Sequence, residues 1–164
     1  MWFRNKRPAK SAATVAHDLR AQALSVESAA LGLTSSPGFP HVWGIIMETG
    51  YPSAVASLVA FADGTVSLYF STGGGVIGAG EQTSVRATME PFFALAEARW
   101  KGLAGGASTP LPGIGRVQFI LRTFEGTRSA EAAEHALVEG HHELSPLFHA
   151  GHAMIAAIRE LPNT

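Results

Sequence analysis

The sequence predicts an α+β fold, an antiparallel sheet of four to five strands with helices packed against it. Three observations carry that prediction. Between Ala54 and Gly80, two β-rich segments flank Asp63-Gly64, a pair suited to a tight hairpin turn. From Val85 to Leu103 the residues Val85, Met89, Phe92, Phe93, Ala96, Trp100 and Leu103 recur at spacings of three and four, the mark of a helix with one buried face. Arg116 to Phe124, RVQFILRTF, is apolar at nearly every position, as an internal strand should be.

The chain divides into a flexible basic terminus, residues 1–13, and a single α+β domain, residues 14–164. Thr14 to Leu31 reads as a helix, rich in alanine and straight-chain residues. Its stripe (Val15, Leu19, Val26, Leu31) is thin. TSSPGFP, residues 34–40, is a loop by composition. Val42 to Thr49 is apolar on both faces and suits a central strand. After the turn at Gly50 to Ser53, Val55, Val59 and Phe61 alternate with smaller residues. Val66, Leu68 and Phe70 then alternate with Ser67, Tyr69 and Ser71, giving a three-stranded meander. Both central turn residues, Asp63 and Gly64, are expected at positive φ.

Gly73 to Gly80 is a glycine-rich connection in which Val76-Ile77 is a candidate short strand. The following helix is expected over Ser84 to Leu103, with Pro91 either kinking it or marking a later start capped by Thr88. Gly102 to Gly115 is a loop dense in glycine and proline, expected to be a mobile excursion. Ser129 to Val138 reads as a short helix. Ser145-Pro146 opens the last one, with proline at a tolerated first-turn position and Leu147, Met154, Ile155, Ile158 and Leu161 as its stripe.

Composition narrows the function classes. Apolar residues make up 46% of the 164 and charged residues 15%, with a net charge of −1. That argues against disorder, gives no reason to expect nucleic-acid binding, and favours self-association. Four of the twelve basic residues (Arg4, Lys6, Arg7, Lys10) fall in the first ten positions. They leave eight against thirteen acids over the rest. This terminus reads as a frayed end, or as a weak membrane tether with Trp2 and Phe3 entering the interface. The chain has no cysteine, which removes disulfides and thiol chemistry and fits a cytoplasmic setting. Neither a signal peptide nor an integral membrane segment is expected.

Three constellations are candidates for chemistry. Gly73, Gly74, Gly75 and Gly78 formally match G-x-G-x-x-G after a strand. The strand is hairpin-paired, however, and no acid-tipped strand follows about 20 residues on, so dinucleotide binding is not expected. Backbone N–H groups holding an anion remain open, beside a purely structural turn. The second constellation is histidine. His142, His149 and His152, with His135 and Glu139 and Glu143 nearby, would share one stripe on an unbroken helix and could then hold a metal. Gly140 and Pro146 argue that the helix is broken. The third is Glu48, a carboxylate ending an apolar strand. It is a candidate buried acid, a solvated strand end, or a partner for an arginine such as Arg122. Asp63, Tyr69, Ser71 and Thr72 stand near it in the meander but make no triad, and there is no G-x-S-x-G. No cofactor is expected and no catalytic residue can be assigned.

The stretch VWGIIMETGYPSAVASLVAFADGTVSLYFSTGGGVIGAG resembles one shared by small uncharacterised bacterial proteins. Over residues 42 to 160 the order of elements is also similar to roadblock- and profilin-like modules. That resemblance implies helices packed on an antiparallel sheet, and dimers acting as scaffolds or regulators. It carries over no functional residue. The leading expectation is therefore a non-catalytic interaction or regulatory module acting as a homodimer, with a protein partner. The alternative is a small-ligand or metal-binding protein, with enzyme activity left open, using the glycine loop or the histidines.

Overall fold

The computed structural model describes residues 9–106 and 109–162. The expectations for Trp2, Phe3, Arg4, Lys6 and Arg7 fall outside these residues. The described chain forms α1 (Ala12–Ser25), β1 (Val42–Gly50), β2 (Val55–Phe61), β3 (Val66–Phe70), β4 (Gly75–Val76), α2 (Thr83–Arg86) and α3 (Met89–Glu97). It continues with β5 (Ala104–Gly105), β6 (Arg116–Thr123), β7 (Gly126–Ala133), α4 (Glu134–Val138) and α5 (Ser145–Arg159). The strands build one sheet in the order β4-β3-β2-β1-β6-β7-β5, antiparallel at every pairing. The α+β class and the antiparallel sheet are as the sequence predicts. The strand count is seven, not four or five.

Three pieces account for the difference. Residues Gly75–Val76 and Ala104–Gly105 add two-residue strands at the two edges, too short to leave a periodic signal. The third is β7. Its sequence, GTRSAEAA, carries alanine and glutamate that favour helix, and the helix expected over Ser129 to Val138 is confined to α4. Residues 126–133 instead pair with β6 from Thr123↔Gly126 to Arg116↔Ala133. Helix propensity differs by only about 0.5 kcal/mol per residue among ordinary residues. A full ladder against a buried strand outweighs it.

The meander holds with one correction at its turn. Phe61 N–H donates to the Thr65 carbonyl at 2.9 Å, and Gly64 N–H to the Phe61 carbonyl at 3.0 Å. The loop is therefore three residues, Ala62 to Gly64, and only Gly64 has positive φ (+98°). Asp63 serves through its side chain instead, accepting the Thr65 N–H at 2.9 Å.

The expected helix over Ser84 to Leu103 is broken at Ala87-Thr88. α3 starts late, with Pro91 in its first turn, where a missing N–H costs nothing. Thr88 takes the N-cap position as expected, but its side chain caps nothing; its hydroxyl donates to the Val85 carbonyl at 2.6 Å. The apolar stripe survives the break, since Val85, Phe92, Phe93, Ala96, Trp100 and Leu103 are all buried. α1 is shorter than the expected Thr14 to Leu31. It begins at Ala12, capped by Ser11, whose Oγ accepts the Thr14 N–H at 3.1 Å, and it ends at Ser25. Val26 is extended, and a short 3-10 turn spans Ser28–Leu31.

The sheet separates two cores. One face packs Val42, Ile45, Met47, Leu58, Phe119 and Leu121 against α3 and α5 through side chains such as Phe92, Leu147 and Ile155. The other packs Trp43, Ile46, Val59, Phe61, Tyr69 and Ile120 beneath α1. α1 itself buries only two residues, Ala16 and Ala23, so little apolar area holds it there.

Candidate functional site

The α1 face carries a polar row across the middle of the sheet. Glu48 on β1 stands opposite Ser57 on β2 and Gln118 on β6, and Ser57 stands opposite Tyr69 on β3. All four side chains point to the same face because they share one crosswise register. Glu48 is fully buried. An unpaired carboxylate in such a place would be prohibitively costly, so its partner decides its role. That partner is Arg20 of α1, which donates from Nε to Oε1 at 2.7 Å and from Nη2 to Oε2 at 2.9 Å. Ser57 Oγ donates to Oε1 at 3.1 Å. Arg20 Nη2 also reaches the Thr109 carbonyl, at 2.5 Å, so it ties the β5–β6 connection to the same point.

Arg122, the partner considered from sequence, lies elsewhere. It stacks its guanidinium over the Trp43 ring, 4.7 Å from the centroid. Its two terminal nitrogens donate to the carbonyls of Ala23 (2.7 Å) and Val26 (2.8 Å). It thereby caps the C-terminal end of α1, which has no basic residue of its own in the last turn. Burial lowers its pKa. Two arginines thus hold α1 to a sheet face that its own apolar stripe barely covers.

Two side-chain atoms in the row have no partner among the described residues, the Tyr69 hydroxyl and Gln118 Oε1. Burial, with a smaller contribution from the Glu48 charge, pushes the Tyr69 phenol up to about 12. No histidine or other free base stands in the row, and Glu48 is neutralised by Arg20. Ser57 therefore lacks the base that nucleophilic catalysis needs. Sequence reading singled out Glu48 and placed Tyr69 near it, but missed Arg20, Ser57 and Gln118. One signal for Arg20 was present: it lies four residues after Ala16 and three before Ala23, on the buried face of its helix.

The glycine run serves the fold. Gly73, Gly74 and Gly75 all take positive φ. A Cβ on Gly73 would lie 2.3 Å from the Ala12 Cβ, and one on Gly75 would lie 2.1 Å from the Leu68 carbonyl oxygen. The first glycine lets the loop touch the start of α1. The third presses β4 onto β3. Gly78 precedes a single 3-10 turn, Ala79–Glu81, and then the four-residue α2, so no long helix points its N-terminus into the loop. Glu48 lies on the central strand β1 beneath α1, whereas Gly75 lies on the edge strand β4, opposite Tyr69.

The histidines divide as Gly140 and Pro146 suggested, α4 ending at Val138 and α5 starting at Ser145. His142 lies between the helices, where its Nδ1 accepts the Leu144 N–H at 3.0 Å. His142 and His149 line one shallow depression with Glu143 and with Arg99, whose positive charge offsets that carboxylate. His152 turns inward against Phe148, ring centroids 4.3 Å apart, and its Nε2 has no partner among the described residues. Burial, then the charges of Arg159 and His149, lower its pKa. Among the described residues no three His, Asp or Glu side chains converge as a metal site.

Fold and site define an α+β protein whose seven-stranded antiparallel sheet lies between one latched helix and a layer of helices. No protein-family model, curated protein or solved structure matches the chain. No helix among the described residues is long and apolar enough to cross a membrane.

Proposed function

We propose that this protein is a non-catalytic interaction module that acts as a homodimer, joined through the β4 edge of its sheet. The observation that carries this reading is Ile77, 64% exposed, beside the half-exposed Val76 on the outermost strand. β4 is two residues long and is the last strand of the sheet on its side. An edge so short offers little backbone to pair, so the contact rests on its exposed apolar side chains. Ile77 borders a recess of about 190 Å³ lined by Ala12, Val15, Ala16, Leu19 and Tyr69. Val15 is itself 42% exposed. A two-fold contact would seat each copy's Ile77 in the other's recess, using one patch twice.

Kinship with roadblock- and profilin-like modules, and with small uncharacterised bacterial proteins, belongs to this reading; helices packed on an antiparallel sheet support it. A reducing cytoplasm suits a chain without cysteine. The test is sedimentation of wild type and Ile77→Glu over a wide concentration range. Wild type is expected to be dimeric and the variant monomeric with unchanged circular dichroism. A wild type that stays monomeric at every concentration rules the reading out.

A further inference from the structure

A cleft of about 570 Å³ opens where the β2–β3 turn, the loop before β1 and the start of α3 meet. Its size lies within the range of small-molecule sites. Phe39, Met89 and Phe93 supply an apolar wall, and Asp63, Arg86 and Glu90 bring charges of both signs to it.

These charges are held but not used up. Arg86 donates from Nε to the Gly80 carbonyl at 3.0 Å, which orients its fork. A Cβ on Gly64 would lie 3.8 Å from Arg86 Nη2, so the bare turn leaves the guanidinium room at the cleft wall. Asp63 uses Oδ1 for the Thr65 N–H, leaving Oδ2. None of the three is in an ion pair among the described residues. Arg86 and Glu90 are four apart, but the helix break at Ala87-Thr88 separates them, and arginine preceding glutamate is the weaker order for such a pair.

We infer that this cleft binds the zwitterion of a free apolar amino acid. The ligand carboxylate meets the Arg86 fork, the geometry in which guanidinium binds carboxylate best. The ammonium lies between Asp63 and Glu90, and the side chain rests on Phe39, Met89 and Phe93. A simple anion would face two carboxylates, and a simple cation would face the guanidinium; a zwitterion satisfies both. One chain supplies every group, so the site is independent of the dimer.

The experiment is amide chemical-shift titration of the full chain with L-phenylalanine, L-phenylalaninamide and 3-phenylpropionate. For a ligand of this size a Kd of about millimolar is expected. L-Phenylalanine should saturate, with shifts centred on residues 38–39, 62–64 and 86–94. The amide, lacking the carboxylate, and the propionate, lacking the ammonium, should each bind at least about tenfold more weakly. Arg86→Gln, an exposed position, should lose binding while its spectrum stays folded. Glu90→Gln should weaken L-phenylalanine but not 3-phenylpropionate. No saturation by L-phenylalanine, equal binding of the amide, or unchanged affinity in Arg86→Gln would each overturn the assignment. Repeating the titration on Ile77→Glu separates it from dimerisation, since a monomer must bind equally well.

Discussion

Arg20 and Glu48, 28 residues apart in sequence, form a two-pronged ion pair beneath α1, with contacts of 2.7 and 2.9 Å. The arginine side chain is 17% exposed and the glutamate is not exposed at all. That asymmetry sets what each loss should cost. Removing Arg20 strands a buried carboxylate. Removing Glu48 leaves a cation that can still turn toward water.

Arg20→Ala is therefore expected to destabilise the fold by about 3 kcal/mol or more, the cost typical of breaking a buried pair. Glu48→Gln should cost less, because a Gln carbonyl in place of Oε1 still accepts from Ser57 Oγ and Arg20 Nε, and only the contact from Arg20 Nη2 is lost. The apolar double replacement Arg20→Met with Glu48→Leu should recover most of the loss. Urea unfolding of the singles and the double checks this. A double mutant as unstable as Arg20→Ala would show that the stranded carboxylate is not the source of the loss.

The glycine loop predicts a graded series. Gly73→Ala must absorb both a positive φ of +106° and a collision with Ala12. Gly74→Ala has a similar φ of +87° but open space. Gly74→Ala should thus cost about 1 kcal/mol from backbone strain alone, and Gly73→Ala clearly more. Thermal midpoints of the two variants, measured side by side, give the ordering. Equal losses would show that the loop does not rest on α1.

His152 makes stability sensitive to acid. Its folded-state pKa is lowered from the ordinary 6.5, so the unfolded chain binds a proton first. Its contribution is intact above pH 6.5 and falls as the pH drops below that, levelling off below the folded value. His152→Leu should flatten this part of the stability profile in urea titrations at a series of pH values.

Tyr69 acts at the other end. Its folded-state pKa is raised from 10.0 to about 12, so stability from this group is whole below pH 10 and is lost between pH 10 and about 12. Ultraviolet difference absorbance should show late ionisation of one of the two tyrosines beyond that of Tyr51, whose pKa burial also raises. Tyr69→Phe should remove the later step and reduce the alkaline loss of stability.

Much of the fold was legible locally. Alternation in Val66 to Phe70 names a strand and the stripe from Val85 to Leu103 names a buried helical face, though not the break at Ala87-Thr88 within it, because side-chain period follows directly from backbone geometry. The Phe61–Thr65 reversal was legible for the same reason, although its loop length was not: a three-residue turn and a two-residue turn share the Asp-Gly signature. The edge strand β4 was expected one residue late, at Val76-Ile77, and β5 was not expected at all, since two residues carry no period.

The chain alone thus determined the β1–β3 meander, the internal strand β6, the buried stripe from Val85 to Leu103 and the last helix. Tertiary structure decided that residues 126–133 join the sheet, because their own preference is weak and β6 offers a full row of backbone partners. It decided that Glu48 meets Arg20 and not Arg122. It also brought Phe39, Asp63 and Arg86 to one cleft. Those outcomes depend on which elements lie side by side, and sequence periodicity carries no term for that distance.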